Sequence, residues 1–342
     1  MNSKSFKETI EKSSSVLIIS HVNPDGDTLG TMCALYQIIK NNFNKNPEMV
    51  FNGVIPDIYH FLPNINQAKT PQELKGKVYD LAIAVDIAAI DRMGDSLPLF
   101  KNAKVRMNID HHKTNKGYGD INFVRGDACC AGEVLFDIVK NLNLKTDKVT
   151  ADCFYTAFLT DTGGFRYENT NANVLKKSAE LVEWGAVPAE ISDYCYESKP
   201  KNMVLFHAHC MMNAQFENDN KIAYTLISNK DMEKFHAKND YTEGIVEELR
   251  RMNSTEVSFV LKEVDENTTK ASLRSKNIDV SVIADVFGGG GHKFAAGCTI
   301  RKPLSIACDK MLDEIRKKFL IDSHPELDLG SVQSTDSKTG TQ

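Results

Sequence analysis

The sequence predicts an α/β protein, with a doubly wound, mainly parallel sheet in a first domain and a smaller α+β domain behind it. In the first half of the chain, short apolar runs alternate with segments whose apolar residues recur at a helical period. Past the middle of the chain, the predicted strands follow one another more closely. A length of 342 residues also exceeds one ordinary core. We therefore predict domains at residues 1–195 and 216–320, a connecting helix at 196–215, and a disordered tail at 321–342 that is rich in Ser, Thr, Asp and Gly.

The individual elements follow from the spacing of apolar residues. Val16–Ser20 is a run of valine, leucine and isoleucine, which is typical of a strand covered on both faces. Asp27–Phe43 follows with apolar residues at a helical period. The other predicted strands of this half are Glu48–Asn52, Tyr79–Val85 and Lys104–Ile109, and its other helices are Cys130–Asn143, Asp147–Leu159, Asn171–Trp184 and Pro188–Tyr196. Beyond these we predict helices at Lys199–Met212, Thr242–Met252, Asp279–Phe287 and Pro303–Phe319, and strands at Ile222–Ile227, Glu256–Glu263 and Thr268–Arg274.

Composition and charge restrict the class of function. The chain is 42% apolar and 25% charged, as in an ordinary folded protein. Its net charge of −5 argues against a long nucleic acid held along its backbone, so any nucleic-acid substrate is expected to be short. The apolar stretches are too short for a membrane helix, and the first residues lack the apolar core of a signal peptide. Eight scattered cysteines without a Cys-x-x-Cys pair predict reduced, buried thiols in a cytoplasmic protein.

Acidic and imidazole side chains follow three of the predicted strands. His21 comes directly after Val16–Ser20, Asp86 after Tyr79–Val85, and Asp110 after Lys104–Ile109. Ligands of parallel sheets gather beyond the carboxyl ends of the strands, where these side chains would meet. Carboxylates combined with neutral imidazoles suit Mn²⁺, Fe²⁺ or Zn²⁺, and a shared carboxylate allows two ions side by side. The pattern therefore favours a two-metal hydrolase of phosphate esters.

Two local motifs supply most of these groups. In His21-Val-Asn-Pro-Asp25-Gly-Asp27, all three ionisable side chains can turn inward if the chain curls at Pro24 and Gly26; the alternative is an Asp-Gly turn with Asp27 as a helix N-cap. In Asp110-His111-His112, neighbouring side chains point in different directions. We expect one imidazole to bind metal and the other to face either the substrate or the groups that surround the metal ligands, with Asp110 orienting an imidazole.

Two further segments each admit two interpretations. Asp161 lies at the end of a helical pattern before two glycines, where the sequence alone favours a surface residue at a helix C-cap over a metal ligand. The run Gly288–Gly291, followed by His292 and Lys293, could present bare backbone amides to an anion, with Arg274 offering a bidentate fork, or it could be a flexible loop. It is not the dinucleotide-binding fingerprint, because no strand precedes it within a βαβ unit.

Together these motifs resemble the DHH/DHHA1 phosphoesterase family. Asp110-His111-His112 matches the motif that gives the family its name, and Phe287–Gly297 is similar to the glycine-rich signature of the DHHA1 domain. The resemblance covers roughly residues 10–320. Within the family, a two-domain chain of this length is similar to the NrnA type. That likeness implies cleavage of very short RNA, including linear dinucleotides such as pApA, to 5′-mononucleotides, and removal of the 3′-phosphate of 3′-phosphoadenosine 5′-phosphate (pAp) to give AMP.

The resemblance implies a role for each matching residue. Two divalent ions, expected to be Mn²⁺, would be bridged by Asp86. The first would be held by His21, Asp25 and Asp86, and the second by Asp27, Asp86, His111 and Asp161. His112 would contact the scissile phosphate and protonate the leaving oxygen, with Asp110 supporting it. Substrate would be bound by Arg274, Gly288, Gly289, Gly290, Gly291 and His292, and by Arg166 unless that residue is a plain surface arginine.

Several rival functions share part of this pattern. A RecJ-like exonuclease has the metal motifs but acts on long single strands, and no additional nucleic-acid domain is visible in this acidic chain. A family II inorganic pyrophosphatase lacks the glycine-histidine signature, and a membrane-bound cyclic-di-AMP phosphodiesterase needs membrane segments. A catalytically inactive nucleotide-binding regulator would not need the full ligand set. Whether the chain forms a homodimer is left open by the sequence.

Overall fold

The computed structural model describes residues 3–323, with side chains as far as residue 319. The chain divides into two compact units, Met1–Lys199 and Pro200–Gln342. Most of the tail predicted at 321–342 lies outside the described residues, and its first three residues continue the last helix. Among the described residues, no helix combines the length and apolar character that crossing a membrane requires.

The first unit contains a parallel five-stranded sheet with strand order β2-β1-β3-β4-β5. Helices α1, α2, α4 and α5 bury one face of the sheet, and α3 with the 3₁₀ segment before it buries the other. This arrangement confirms the predicted doubly wound α/β class. The strands are β1 (Val16–Val22), β2 (Glu48–Asn52), β3 (Leu81–Val85), β4 (Val105–Asp110) and β5 (Ile121–Val124). The helices are α1 (Ser3–Lys12), α2 (Gly26–Phe43), α3 (Leu97–Lys101), α4 (Ala131–Asn141), α5 (Lys148–Asp161), α6 (Ala172–Glu183) and α7 (Pro188–Ser192).

Helix α2 is the central helix of this unit, because it is buried along most of its length against α5. Gly30 allows that close approach: a Cβ atom there would lie 2.6 Å from the carbonyl oxygen of Cys153. The helix begins directly after Asp25 and ends at Phe43, and its C-cap residue Asn44 has a φ of 51°, in the left-handed region. The packing therefore fixes the position of the first turn of α2 at the carboxyl edge of the sheet.

The second unit is a six-stranded mixed sheet with order β10-β11-β9-β8-β7-β6, in which only β7 and β8 pair in parallel among the described strands. Helices α11 and α12 cover one face, and α8 and α10 cover part of the other. This is the predicted smaller α+β unit. The helices are α8 (Lys201–Met212), α9 (Asn229–Lys234), α10 (Ile245–Arg251), α11 (Val280–Val286) and α12 (Leu304–Ser323). The strands are β6 (Gln215–Glu217), β7 (Ile222–Ile227), β8 (Val257–Asp265), β9 (Thr268–Ser275), β10 (Gly290–His292) and β11 (Ala295–Ile300).

Candidate metal centre

His21 lies inside β1 rather than after it, because the strand continues two residues beyond the predicted end at Ser20. Its ring nitrogen Nδ1 is 2.8 Å from the carbonyl oxygen of Val22, so Nδ1 is the protonated nitrogen that donates. The other nitrogen, Nε2, lies 3.6 Å from Asp86 Oδ2 and 3.9 Å from Asp25 Oδ2. The backbone contact therefore leaves Nε2 unprotonated, so its lone pair is available to a metal ion placed between it and the two carboxylates.

Asp25 and Asp27, in the turn between β1 and the first turn of α2, make different hydrogen bonds. Asp25 is the N-cap of α2 and accepts a hydrogen bond from the Thr28 amide at 3.1 Å, so the alternative that made Asp27 the N-cap is wrong. Asp27 is buried in the first turn of the helix. It accepts hydrogen bonds from the Thr31 hydroxyl at 3.0 Å and from the backbone amides of Ala131 and Gly132 at 2.7 and 3.1 Å. The N-terminus of α4 thus holds this carboxylate in place.

Asp86 is the central carboxylate of the site. It follows β3 in a left-handed conformation, with φ of 58°, and its amide donates to the carbonyl oxygen of Ile109 at 2.9 Å. Its Oδ2 accepts a hydrogen bond from the Thr28 hydroxyl at 2.6 Å. Its Oδ1 is buried and has no hydrogen-bond partner among the described residues, although His111 Nε2 lies 3.5 Å away. A buried carboxylate oxygen without a donor is unfavourable unless a cation occupies the space beside it.

The two adjacent histidines have different partners. His111 Nε2 faces three carboxylates, at 3.8 Å from Asp27, 3.5 Å from Asp86 and 3.7 Å from Asp161. His112 Nδ1 lies 2.8 Å from Oδ1 of Asp110, with Asp86 more distant at 3.7 Å. Side chains of neighbouring residues therefore diverge, so that one imidazole enters the acidic cluster and the other is bound to a buried carboxylate.

Asp110 is fully buried as the last residue of β4. Besides the His112 ring, its carboxylate accepts a hydrogen bond from the Asn115 side-chain amide at 2.6 Å. The same Asn115 amide group donates to the carbonyl oxygen of Ile87 at 3.1 Å, next to Asp86 in the chain. Asp110 thus has donors on both oxygens, and it fixes the orientation of His112.

Asp161 is the last residue of α5, and the helix is capped by Thr162 rather than by the aspartate. Gly163 follows with φ of 59°, and Tyr167 lies so close that any Cβ atom at Gly163 would collide with its ring. The Asp161 side chain is 31% exposed and lies within reach of His111, as described above. The structure therefore brings Asp161 to the cluster, where sequence spacing alone left two interpretations.

The pKa values reflect crowding of negative charge. Burial, followed by the charge of Asp86, raises the pKa of Asp27 well above its ordinary value. Burial also raises the pKa of Asp161 to about 7. At Asp86 burial acts in the same direction, but the neighbouring imidazoles of His111 and His21 outweigh it and lower the pKa. Ionising all of these closely spaced carboxylic acids is therefore unfavourable unless a positive charge lies among them.

The arrangement of donors fits divalent ions. The imidazole and carboxylate atoms lie 3.5–3.9 Å apart, which is too far for direct hydrogen bonds. Two donors of one ion, each about 2.1 Å from it, are separated by roughly 3–3.6 Å, so the shortest of these spacings match shared coordination and the longest exceed that range only slightly. Oxygen and imidazole donors favour Mn²⁺, Fe²⁺ or Zn²⁺ over softer ions. The groups that converge in this way are His21, Asp25 and Asp86; Asp27, His111 and Asp161; and Asp86, His111 and His112.

The glycine-rich segment of the second unit differs from the predicted loop with four free amides. The amides of Gly288 and Gly289 donate to the carbonyl oxygens of Asp285 and Ala284 at the end of α11, at 2.8 and 2.9 Å. The next residues, Gly290–His292, form strand β10 against β11. The amides of Gly288 and Gly289 therefore satisfy carbonyl groups at the end of α11, as helix ends require, and the following residues pair with β11. These are amides that the sequence had suggested for binding an anion.

The two predicted phosphate-binding arginines have intramolecular partners. Arg274 on β9 donates from Nε to Glu247 at 2.8 Å and from a terminal nitrogen to the carbonyl oxygen of Leu273 at 2.9 Å. Its backbone is in register with Ala295 of β11, which in turn pairs with His292, so Arg274 and His292 are on one face of the sheet. Arg166 is exposed beyond α5 and donates from Nε to the carbonyl oxygen of Gly163 at 2.5 Å.

Sequence reasoning did not identify the side chains that orient the cluster. Thr28 and Thr31 hold aspartates from the first turns of α2, and Asn115 holds Asp110. Asn169 donates to the carbonyl oxygens of Cys129 and Asp161 at 2.9 and 3.1 Å, linking the start of α4 to the end of α5. Hydroxyl and amide side chains are common at helix starts and in loops, so no pattern in the sequence distinguishes these four.

Two domain families match the chain over the regions that carry these groups. The DHH family N-terminal domain matches residues 15–158, and the DHHA1 domain matches residues 219–320. The chain belongs to the DHH/DHHA1 phosphoesterase family. The first match contains every clustered residue except Asp161, three positions beyond its end, and the second contains Arg274 and the glycine-rich hairpin.

Relatives of similar length extend the comparison to most of the chain. The bifunctional oligoribonuclease and PAP phosphatase NrnA of Thermus thermophilus is 28% identical over 307 residues, covering 89% of this chain and 90% of the relative. The NrnA of Bacillus subtilis, with the same description, is 26% identical over 298 residues, covering 85% and 91%. The crystal structure of an exopolyphosphatase-related protein from Bacteroides fragilis superposes with a TM-score of 0.86 over 94% of this chain and 97% of that one, at 22% identity, and shows the same fold.

Proposed function

We propose that this protein is a two-metal phosphoesterase that hydrolyses very short RNA, including linear dinucleotides such as pApA, to 5′-mononucleotides, and that removes the 3′-phosphate of pAp to give AMP. The observation that carries the proposal is the position of Asp86, whose buried and unpartnered oxygen belongs to a cluster of histidines and aspartates. The relatives described as oligoribonucleases and PAP phosphatases support the choice of substrates.

The ions would be held by the donors that converge at the carboxyl edge of the sheet, and we propose Mn²⁺ as the metal. When bound, such ions activate water and neutralise phosphoryl oxygens. His21, Asp25 and Asp86 would hold one ion, and Asp27, Asp86, His111 and Asp161 the other.

His112 would supply the proton for the leaving oxygen. Its Nδ1 proton is held by Asp110 Oδ1, so Nε2 is the nitrogen available for transfer. Asp110 is in turn held by Asn115, which prevents the imidazole from rotating away. A buried carboxylate behind the ring also stabilises the protonated imidazole, as in other acid–base pairs.

The second unit would bind the nucleotide portion of the substrate. We propose that Arg274 and His292, which share one face of its sheet, contact phosphate or ribose, and that the Gly288–Gly291 backbone lies beside them. Arg166 would provide a further phosphate contact. The net charge of −5 supports short substrates, because a long polyanion gains affinity mainly from an excess of cationic side chains.

The test is product formation from 5′-labelled RNAs of two to twenty-four nucleotides with Mn²⁺, measured beside pAp and pyrophosphate. We expect rapid loss of the shortest RNAs and release of phosphate from pAp. Preference for the longest strands would instead indicate a processive exonuclease, and turnover of pyrophosphate alone would indicate a pyrophosphatase.

The variant Asp86→Asn, which keeps the size of the side chain, tests the central ligand. It should lower both activities by at least about 100-fold, because it removes the charge shared by both metal groups. Asp120→Asn is the matched control, since Asp120 is paired with Arg106 at the surface, away from the cluster. Normal turnover by Asp86→Asn would exclude the bridging assignment.

A further inference from the structure

The second unit contains a groove that belongs to none of the sites described so far. Its volume is about 610 Å³, and it lies between the end of α11, the turn after β11 and one face of α12. The residues that define this basic groove are Phe287, Arg301, Lys302, Lys310 and Lys317, with Asp313 and Glu314 beside the lysines. A volume of this size is typical of small-molecule sites.

The groove is on the opposite side of its sheet from Arg274. Leu273, Ala296 and Ile300 point into the core beneath α11 and α12. Arg274 follows Leu273, and Ala295 precedes Ala296. Because side chains alternate along a strand, Arg274 and Ala295, which are paired with each other, project from the opposite face of the sheet. A ligand of the basic groove would therefore lie on the other side of the sheet from the Arg274 and His292 side chains.

The charges of the groove are unbalanced. Four cationic side chains line it against two carboxylates, in a chain whose net charge is negative. Both carboxylates have cationic partners on α12: Glu314 accepts from Lys317 at 2.6 Å, and Asp313 accepts from Arg316 at 3.2 Å. Within residues 3–319, Arg301, Lys302 and Lys310 have no ion pair closer than 4 Å. Cations grouped around a concave surface without counter-charges favour an anionic ligand.

The groove combines these cations with an apolar wall. Lys310 and Lys317 are seven residues apart on one face of α12, about 10 Å along the axis at ~1.5 Å per residue. Arg301 and Lys302 approach from the turn after β11. Phe287, half-buried against the core of the unit, supplies a flat ring at the other side. A ligand with a phosphate at one end and a planar base at the other matches both features.

We propose that the basic groove binds a nucleoside monophosphate, with its phosphate among Arg301, Lys302 and Lys310 and its base on Phe287. This site is additional to the proposed function, and it does not depend on the metal centre. Since Phe287 directly precedes Gly288, a nucleotide on its ring would adjoin the segment that leads into β10.

The experiment is calorimetric titration of the full chain with AMP in EDTA, where no turnover occurs. We compare Lys310→Glu with Lys318→Glu, which makes the same charge change on the same helix outside the groove lining. Lys310→Glu should weaken AMP binding at least about tenfold, while Lys318→Glu leaves it unchanged. Phe287→Leu should weaken binding of AMP, and inorganic phosphate should bind the parent protein much less tightly than AMP does.

A second measurement covers the case in which Lys310→Glu fails to fold. Photo-crosslinking of the parent protein with 8-azido-AMP, followed by peptide mapping, should label Val286, Phe287 or residues 299–317, and not only residues 288–292. Labelling that is confined to the first unit, or to Arg274 and residues 288–292, would overturn the proposal. Equal AMP affinity in the folded Lys310→Glu and Lys318→Glu proteins would also overturn it, as would equal binding of inorganic phosphate and AMP.

Discussion

At the scale of single residues, Asp86 shows how a local backbone conformation can place a proposed metal ligand. A left-handed backbone is uncommon outside glycine, although aspartate tolerates it better than most residues. Here φ of 58° turns the side chain from the end of β3 towards His21 and His111, and the amide remains bonded to Ile109. The conformation is maintained by the sheet on either side, which is common at functional positions.

Glu247 offers a residue-scale prediction, because it neutralises the arginine proposed to bind phosphate. Its Oε1 accepts from Arg274 Nε at 2.8 Å. Glu247→Gln keeps an acceptor but removes the competing negative charge, so we expect the KM for pAp to fall about threefold to tenfold with little change in kcat. Steady-state kinetics with pAp measures both constants.

Glu248→Gln is the control for this change, since Glu248 pairs with Arg251 at the surface. A higher KM in Glu247→Gln would mean that the carboxylate orients Arg274 rather than competing with the substrate. An unchanged KM would argue against a phosphate contact by Arg274.

The proposed metal ligands could be recognised in the sequence, whereas the residues that orient them could not. His21, Asp86 and Asp110 were predictable because each terminates an apolar strand pattern, which is visible without three-dimensional information. Asn115 and Thr28 were not, because their importance arises from contacts across the sheet edge. Asp161 needed the family resemblance, since its helix-end pattern is equally typical of a surface residue.

At the scale of elements, the glycines of the glycine-rich hairpin differ in their steric surroundings. A Cβ atom at Gly289 would collide with the Gly297 carbonyl and with Cys298, whereas one at Gly290 would meet nothing within 4 Å. We therefore expect Gly289→Ala to destabilise the protein by about 1–3 kcal/mol. Gly290→Ala should leave the thermal midpoint unchanged but impair turnover of pAp, because a methyl group would extend into the space proposed for the substrate.

Thermal melts and kinetics of the two variants distinguish these effects. If Gly290→Ala melts like the parent protein and keeps full activity, the substrate does not approach this strand. If Gly289→Ala is as stable as the parent, the packing of β10 against β11 is looser than the structure indicates.

A second element-scale prediction concerns the start of β2. Glu48 is a partly buried acceptor for Lys69, Lys77 and Tyr79. Burial opposes its ionisation, but these hydrogen bonds outweigh burial and lower the pKa of Glu48 from 4.5 to about 2. The stabilisation is therefore complete above about pH 4.5 and disappears as the pH falls towards 2.

We expect Glu48→Gln to lower the free energy of unfolding at pH 7 by about 1–2 kcal/mol, with the difference from the parent shrinking between pH 4.5 and 2. Urea unfolding at several pH values measures it. Glu11→Gln removes the same charge from the exposed Lys7 pair and should have little effect. A difference that persists at the lowest pH would show that the charge of Glu48 is not the cause.

Element boundaries were less predictable than element types. The predicted strand Glu48–Asn52 is confirmed, but β1 continues to Val22 because pairing with β2 extends to that residue. The short strand β10 was not predicted, since three residues that include two glycines carry no strand pattern. Its existence depends on pairing with β11, which is a tertiary contact.

At the scale of the whole molecule, the alternation of strands and helices was enough to predict the architecture. Each apolar run in the first half needs cover on both faces, and the intervening helices provide it, so the parallel sheet follows from the pattern. In the sheet, β1, β3 and β4 are neighbouring parallel strands, so their carboxyl ends lie side by side. The location of the candidate site is thus a property of the topology.

The last prediction concerns the stability of the full chain. Burial and negative neighbours disfavour ionised Asp27 and Asp161 in the absence of a cation, so ions that bind only the folded state should stabilise it. At a concentration 100 times the Kd, Mn²⁺ would contribute about 2.7 kcal/mol, which corresponds to a rise in Tm of about 5 °C or more for a unit of this size. Differential scanning calorimetry with Mn²⁺ and with EDTA measures the shift, and Asp120→Asn should behave like the parent protein. Asp86→Asn should lose most of the rise; an equal rise in that variant would place the ions elsewhere.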